Sequence, residues 1–166
     1  NTFTQGFESG YGLKMGGVAA PSITKTLNLY GNIVTMSAWI KLNAYGQYEG
    51  VLYAGSLGSN TNRDNLYIYP DGELRVYRQA GTNTGTTIYT GYYVPLDTWI
   101  HVAYERDGVN QRVFVNHVLI SAGINTANLT PVSNVYIGGN RSGGVEIYSK
   151  LEFDNVLITL GSNRFS

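Results

Sequence analysis

The chain has 166 residues, a formal net charge of zero and only 13% charged residues. It lacks the basic surplus that phosphate binding requires, so we expect no nucleic-acid partner. It also contains no cysteine, which excludes a disulfide framework and a thiolate metal site. Because no apolar run approaches the ~18 residues of a membrane-spanning helix, we expect no membrane insertion. The length indicates one domain over residues 1–166.

The uncharged polar residues are unusually prominent, with 14 tyrosines beside 21 glycines. Asn, Thr, Ser and Tyr must therefore solvate most of the surface, and such a surface suits neutral polar ligands such as sugars. A β-rich fold would also favour tyrosine and threonine without any ligand. The sequence opens with Asn1-Thr2-Phe3-Thr4, without an initiator Met or a signal-peptide pattern, so we expect a processed protein or an excised domain.

Glycine or proline interrupts nearly every window long enough for a helix, whereas short alternating segments recur along the chain. The first is Val34 to Leu42, and Gly50 to Ala54 follows as a short strand. Alternation predicts that one face of the first strand is apolar and points to the core. That face consists of Val34, Met36, Ala38, Ile40 and Leu42.

The clearest hairpin runs from Asn65 to Tyr77 around Tyr69-Pro70-Asp71-Gly72-Glu73. Proline fits the second position of a type I turn, and Gly72 can adopt the left-handed conformation behind it. This three-residue connection predicts a glycine bulge. It pairs Ile68 with Leu74 and Leu66 with Val76 on one face. The other face then carries the pairs Tyr69–Glu73, Tyr67–Arg75 and Asn65–Tyr77.

The second half of the chain continues the same pattern. A strand from Trp99 to Glu105 places Ile100, Val102 and Tyr104 on its apolar face. Further strands are predicted at Thr86 to Val94, at Arg112 to Val115 and Val118 to Ser121 around an Asn116-His117 turn, at Val135 to Gly138 before a glycine-rich loop from Gly139 to Gly144, and at Glu152 to Leu160. About a dozen strands without helical crossovers predict an all-β, two-sheet antiparallel β-sandwich.

Several of these segments also match a known pattern in order and spacing over about residues 33 to 158. They are Met36-Ser37-Ala38-Trp39-Ile40-Lys41, Asp97-Thr98-Trp99-Ile100-His101-Val102-Ala103, Asp107-Gly108 leading into Arg112 to His117, Val135 to Gly139, and Phe153-Asp154-Asn155-Val156. The chain thereby resembles the laminin-G-like branch of the concanavalin-A-like jelly rolls, although His117 stands where that family usually has glycine. The resemblance implies a jelly roll, a fold that hosts lectins, glycanases, adhesion modules and virion proteins.

Glycanases of the resembled superfamily use carboxylates two residues apart on one strand, so that both point at one glycosidic bond. Glu152-Phe153-Asp154 begins such a motif, but the next position expected on that face is Val156. Nucleophile and acid/base are both required, so we expect no enzyme. No Gly-x-Ser-x-Gly motif occurs, and His101, within a strand, is interpreted as a structural residue.

A calcium site is a further implication of the resemblance. Phe7-Glu8-Ser9-Gly10 resembles the opening of several jelly-roll carbohydrate-binding modules, in which this glutamate and an aspartate of the last strand share a structural calcium. Glu8 and Asp154 match those ligands, and hard oxygen ligands suit calcium. The alternative is that both carboxylates are solvated or hydrogen-bonded.

The polar face of the first hairpin is the predicted carbohydrate-binding surface. Aromatic faces stack on sugar C–H groups, and planar polar side chains bind the hydroxyls. This face offers Asn65, Tyr67, Tyr69, Arg75 and Tyr77. An ordinary solvated or sheet-packed face with Tyr–Arg pairs is the alternative. Further candidates at loops or rims are Tyr45, Tyr48, Tyr92 and Tyr93.

Three functions are therefore carried forward. The first is a non-catalytic carbohydrate-binding or adhesion module for neutral glycans, extracellular or at a cell or virion surface. The second is a structural decoration, fibre or appendage protein that binds other virion or surface proteins. The third is a degenerate glycanase.

Overall fold

The structure, a computed structural model, describes residues 2–4, 12–14, 23–26, 33–55, 63–79, 85–126, 134–142 and 145–160. Within these ranges the chain forms strands only. They are β1 Thr2–Thr4, β2 Gly12–Lys14, β3 Ile23–Thr26, β4 Ile33–Lys41, β5 Glu49–Ala54, β6 Arg63–Ile68, β7 Glu73–Gln79, β8 Gly85–Tyr93, β9 Trp99–Asp107, β10 Asn110–Val115, β11 Val118–Ile124, β12 Asn134–Ile137, β13 Gly139–Ser142, β14 Val145–Tyr148 and β15 Glu152–Leu160. In this described part of the chain, no helix is long and apolar enough to span a membrane.

Two large sheets contain most of the strands. The first sheet has the order β1-β2-β15-β4-β9-β10-β11, and the second has the order β3-β12-β5-β6-β7-β8. Each pair of neighbouring strands is antiparallel. The predicted all-β, two-sheet antiparallel sandwich is therefore confirmed.

The core lies between the sheets and consists of the apolar faces that alternation predicted. On β4 the five predicted residues are each at most 2% exposed, and Ile100, Val102 and Tyr104 of β9 are equally buried. The second sheet contributes the residues Leu52, Leu66, Ile68, Leu74 and Val76. Each fully buried aliphatic side chain stabilises the fold by roughly 1.5–3 kcal/mol relative to exposure. This packing fixes which face of each sheet points outward.

One end of the core is polar. There Asp64 of β6 accepts hydrogen bonds from Tyr104 Oη at 3.2 Å and Arg106 Nε at 3.1 Å, and Gln111 Nε2 donates to Tyr104 Oη at 2.6 Å. Arg78 of β7 places its Nε 3.9 Å from the same carboxylate. We call these five buried residues the inner cluster. Because they come from both sheets, they fix the position of one sheet relative to the other.

The β6–β7 hairpin has the predicted register, with Ile68 opposite Leu74 and Asn65 opposite Tyr77. Gly72 N donates to Tyr69 O at 2.8 Å, Tyr69 N donates to Glu73 O at 2.9 Å, and Gly72 has φ +95°. This is the predicted three-residue turn with a glycine bulge. The register puts the core residues on one face and the tyrosines on the other.

The β10–β11 hairpin also turns where predicted. Asn116 and His117 have φ of 48° and 67°, the left-handed pair that a two-residue turn requires. Asn116 also caps β9 from the side, because its Oδ1 accepts a hydrogen bond from His101 N at 2.9 Å. The turn therefore holds His117 against His101.

The prediction of a glycine-rich loop from Gly139 to Gly144 was wrong. Residues 139–142 form β13 and pair antiparallel with β14, and this ribbon packs against β5. The alternation in the short segment after Gly144 is too brief to predict a strand. The ribbon is stabilised by its packing against β5, which the local sequence pattern does not reveal. Behind the ribbon, Glu49 accepts hydrogen bonds from Ser149 Oγ at 2.9 Å and Lys150 N at 2.6 Å. Burial is the largest influence on this carboxyl and raises the pKa of Glu49.

Candidate functional site

The outward face of the second sheet is rich in tyrosine because the register aligns tyrosines on neighbouring strands. Tyr67 of β6 lies opposite Arg75 of β7, which lies opposite Tyr89 of β8. Tyr77 lies in the next row and Tyr69 follows the end of β6. We call the surface formed by these five residues the tyrosine face. Strand spacing of about 4.8 Å brings side chains of adjacent strands into contact.

Exposure on this surface increases toward β8, the last described strand of the sheet. Tyr53 on β5 is fully buried on the side where the ribbon packs. Asn65 and Tyr67 are 3% and 8% exposed, and Tyr69, Arg75 and Tyr77 are half-buried. Tyr89 is 65% exposed. The structure thus brings the five predicted sugar-binding residues together, and it places Asn65 and Tyr67 beneath the accessible surface.

Arg75 is the centre of the tyrosine face. Its guanidinium carbon lies 3.7 Å from the ring centroid of Tyr69 and 4.9 Å from that of Tyr89. Nε donates to Glu73 Oε2 at 2.6 Å, and an Nη donates to Asp71 Oδ2 at 3.3 Å. We call Asp71, Glu73 and Arg75 the outer clamp. Carboxylates hold the plane of the guanidinium while the two rings stack on it.

Glu73 also connects the outer clamp to the irregular end of β8. Its Oε1 accepts a hydrogen bond from Gly91 N at 2.9 Å, where β8 bulges and Gly91 has φ +68°. A bulge of this kind re-aims the side chains that follow it. Glu73 therefore fixes both Arg75 and the strand that carries Tyr89.

Aromatic packing supports the face from below and from one side. Tyr48 places its ring edge-on to Tyr69 with centroids 5.0 Å apart, and 6.3 Å from the centroid of Tyr67. Burial raises the pKa of Tyr67 to about 12. At neutral pH the Tyr67 hydroxyl is consequently a neutral support beneath Arg75.

Tyr77 lies at the other end of the face. The guanidinium carbon of Arg63 lies 4.8 Å from its ring centroid. The Tyr77 hydroxyl group fills the space where a β-carbon at position 85 would be, so a side chain there would have to displace the Tyr77 ring. Gly85 thereby determines where the Tyr77 ring lies.

The Glu152/Asp154 pair lies on the outward face of the other sheet. Lys41 Nζ is 3.1 Å from Glu152 Oε2, and Asn43 Nδ2 donates to Glu152 Oε1 at 3.3 Å. The prediction that Val156 shares this face was wrong, because β15 bulges after Asp154 and Asn155 has φ 45°. Val156 packs against the core instead. The next outward position is Leu157, opposite Ser37, so a third carboxylate does not follow.

The calcium prediction pairs one residue that the structure describes with one that it does not. Asp154 is buried, and its Oδ1 accepts a hydrogen bond from Asn155 N at 2.8 Å. Glu8 lies outside the described residues. Within those residues, His, Asp and Glu form no group of three or more that could hold a metal ion. The Glu8–Asp154 calcium site stays a prediction.

His101 packs among other rings. Its ring centroid is 5.5 Å from that of Trp39, and the His117 ring stacks on it at 4.7 Å. The backbone amide of His101 donates to the side chain of Asn116. These contacts are those of a packing residue, in line with the structural interpretation of His101.

Sequence reasoning missed two parts of the site. Tyr89 belongs to the face only through the pairing of β7 with β8, although its alternation with Thr87 was a usable signal. The outer clamp was also missed: Asp71 was assigned to the turn alone, and Glu73 was placed on the polar face opposite Tyr69 without a contact to Arg75. Tyr48, considered as a rim residue, packs directly on the face.

Several solved structures are similar to this chain. A heptameric SAP-like pentraxin from Limulus polyphemus has 17% identity and a TM-score of 0.62, with 87% of this chain and 73% of that chain covered. Domain 4 of AbnA, a GH43 extracellular arabinanase from Geobacillus stearothermophilus, in complex with arabinotriose, has 16% identity and a TM-score of 0.72, with 95% and 73% covered. A structure of botulinum neurotoxin type C, whose cell entry depends upon interaction with two ganglioside molecules, has 11% identity and a TM-score of 0.66, with 95% and 41% covered.

At these identities the likeness shows the fold alone. No curated protein matches the sequence. The sequence does match a family model described as the concanavalin A-like lectin/glucanases superfamily, over residues 15–158. That match covers most of the chain and agrees with the two-sheet architecture, so the chain belongs to the concanavalin A-like lectin/glucanase superfamily.

Proposed function

We propose that this domain is a non-catalytic carbohydrate-binding or adhesion module that binds neutral glycans on the tyrosine face. The observation that carries the proposal is the stack of Tyr69, Arg75 and Tyr89, which is open to solvent at Tyr89. A sugar ring presents C–H groups on its faces and hydroxyls at its edge. The exposed Tyr89 ring can stack on the C–H groups, and neighbouring polar side chains can form hydrogen bonds with the hydroxyls.

Pre-organisation also supports binding at this surface. Arg75 is fixed by Glu73 and Asp71, and Tyr69 is packed by Tyr48. Side chains that are already ordered lose little conformational entropy when a ligand arrives. Two structural relatives, the arabinanase domain with arabinotriose and the neurotoxin with gangliosides, have saccharide-containing ligands by name. A glycan is therefore the ligand class we assign to the face.

The proposal includes the absence of catalysis. Glu152 is paired with Lys41 and Asn43, and the next outward position of β15 is Leu157. A single carboxyl group cannot easily serve as both nucleophile and acid/base. A degenerate glycanase would instead release reducing sugar slowly, and Glu152→Gln would abolish that release. We propose an extracellular location, at a cell or virion surface, where glycans are accessible.

A glycan array probed with the wild-type domain and with Tyr89→Ala tests the proposal. We expect the wild type to bind neutral oligosaccharides and Tyr89→Ala to lose at least tenfold in affinity, measured by calorimetry on the best ligand. Tyr89→Phe keeps the ring and should retain most binding. Val118→Ala is the matched control, since Val118 is 64% exposed on the other sheet. Equal binding by wild type and Tyr89→Ala would place the ligand elsewhere.

An assembly role is the second candidate, and one surface favours it. β11 is the outermost described strand of the first sheet, contains no charged residue, and exposes Val118, Leu119 and Ile124. An uncharged edge strand can pair with another chain through the backbone N–H and C=O groups along its edge. Mass photometry separates the two roles: a stable oligomer or a complex with a surface protein supports assembly. A monomer that binds glycans supports the first proposal.

A further inference from the structure

The outer clamp has a feature that glycan binding alone does not require. Two carboxylates, Asp71 and Glu73, are bonded to one guanidinium, that of Arg75. The local charge of the three groups is therefore −1. If the arginine served to attract an acidic ligand, its in-plane donors would have to be available.

Two of those donors are occupied. Of the five N–H groups of an arginine, the one on Nε is bonded to Glu73 and one on Nη to Asp71. The guanidinium carbon also lies over the rings of Tyr69 and Tyr89, at 3.7 and 4.9 Å from their centroids. A bidentate carboxylate must approach in the plane, along the edges where the two acidic side chains already lie.

We propose that Asp71 and Glu73 determine the specificity of the tyrosine face: by occupying Arg75 they exclude glycans that carry a carboxylate and leave neutral glycans as ligands. This inference rests on the proposed function and deepens it. An incoming sialic or uronic acid would meet two like charges near the stack, at distances where repulsion between partly buried groups is substantial. Arg75 then acts as a stacking plane and not as an anion receptor.

The two carboxylates differ in how they can be tested. Glu73 is buried and also accepts the Gly91 amide, so changing it would disturb β8. The side chain of Asp71 is 46% exposed, and its Oδ1 accepts a hydrogen bond from Glu73 N at 2.9 Å. Asparagine keeps that acceptor and the size of the side chain. Asp71→Asn therefore removes the charge and preserves the turn.

Among the described side chains, a second cation on this surface is Arg63, which packs on Tyr77 in the neighbouring row. An acidic glycan could be attracted there instead, so Arg63→Gln is included as a separate variant. Asp97→Asn is the matched control, because Asp97 is an exposed acid in the β8–β9 connection whose φ of 53° asparagine tolerates. It changes the net charge of the domain by the same amount as Asp71→Asn.

The first experiment compares each neutral oligosaccharide with its sialylated and uronate-bearing counterparts on an array in low salt. We expect wild type and Asp97→Asn to bind the acidic counterparts at least tenfold more weakly than the neutral ones. In Asp71→Asn, the ratio of the affinity for a neutral glycan to that for its acidic counterpart should fall severalfold. In 1 M NaCl, most of the difference in this ratio between Asp71→Asn and wild type should disappear. Equal binding of acidic and neutral members by wild type, or an unchanged ratio in Asp71→Asn, would overturn the inference. Strong acidic binding that Arg63→Gln abolishes would overturn it too.

The second experiment does not depend on any glycan being found. The ¹H–¹⁵N signal of Arg75 Nε is followed by NMR during titration with sodium glucuronate. We expect no specific change of that signal in wild type and a saturable change in Asp71→Asn. A saturable change in wild type would contradict the exclusion of carboxylates. An array without any bound glycan would count against the proposed function, while this titration still decides the role of Asp71.

Discussion

The β6–β7 hairpin bears a group of arginine and carboxylate side chains on each of its two faces, and the two groups serve different ends. In the inner cluster, Asp64 is bonded to Arg106 between the sheets, where neither side chain is more than 4% exposed. In the outer clamp, Arg75 is bonded to Asp71 and Glu73 at the edge of solvent. The chemistry is the same, but the inner group cannot lose a member without leaving a buried charge. The outer group can lose Asp71, whose side chain is 46% exposed, because water can replace that partner.

The largest expected effect is on the inner cluster. Asp64→Asn leaves Arg78 and Arg106 without their shared carboxylate, so we expect a loss of about 3–5 kcal/mol in the free energy of unfolding. Asp71→Asn removes an equivalent charge from the outer clamp and should cost no more than about 1 kcal/mol. Urea denaturation of both variants measures the difference. Similar losses in the two would show that burial does not separate the two groups.

The next largest effect on stability is expected at the turn that joins β6 and β7. Gly72 has φ +95°, and a β-carbon there would lie 2.5 Å from Tyr45 Cε1. Gly46 has φ +104° and open space around it, which makes it the matched control. Gly46→Ala should cost the backbone strain alone, about 1–2 kcal/mol, and Gly72→Ala about 1–3 kcal/mol more. Thermal denaturation checks this, and equal melting temperatures would contradict the predicted clash.

An alkaline titration tests how strongly Tyr67, which lies beneath the accessible part of the tyrosine face, is shielded from solvent. The pKa of Tyr67 is raised by burial from the ordinary 10 to about 12, so between these values the unfolded chain loses this proton while the folded protein keeps it. Stability contributed by the neutral tyrosine is present below pH 10 and falls as the pH rises to 12. Across that interval the free energy of unfolding should decrease by roughly 1.4 kcal/mol for each pH unit.

The absorbance of tyrosinate at 295 nm follows this process. Tyr67→Phe should remove a late-titrating tyrosine and flatten the loss of stability between pH 10 and 12. Tyr104, whose pKa burial raises well above its ordinary value, acts in the same direction from the inner cluster.

The smallest effect on stability is expected for Arg75→Lys. Lysine keeps the charge but has no plane to stack between Tyr69 and Tyr89, and it binds carboxylates as a point charge. The free energy of unfolding should change by less than about 1 kcal/mol, whereas affinity for a neutral glycan should fall severalfold. A variant that binds as tightly as wild type would show that the stacked plane is not needed.

The two faces of the hairpin also show which features of the structure can be predicted from the sequence. Turn chemistry at Pro70 and Gly72 is local, so the register between β6 and β7, and with it the composition of both faces, was predictable. Alternation predicted the core residues of β4 and β9 for the same reason. The outer clamp was predictable only in part: alternation puts Glu73 and Arg75 on one face of β7, whereas the contact of Arg75 with Asp71 depends on the conformation of the turn.

Two kinds of cause account for the other errors. The bulge after Asp154 depends on the local left-handed conformation of Asn155, and the run from Val156 to Leu160 gives no sign of which residue turns inward. The other cause is nonlocal packing. The β13–β14 ribbon packs on β5, and Tyr67 packs beside Tyr48, which comes from a different segment.

The contact between Tyr77 and Gly85 has a consequence for how this surface can vary. The Tyr77 hydroxyl occupies the volume of a β-carbon at position 85, so the demand for glycine there comes from a neighbouring strand and not from the backbone of β8. In a saturation mutagenesis scan, position 85 should accept only glycine while Thr86 and Thr87 vary freely. Replacing Tyr77 with a smaller residue should release that constraint, so a substitution at position 85 is expected to be tolerated only together with a smaller residue at position 77.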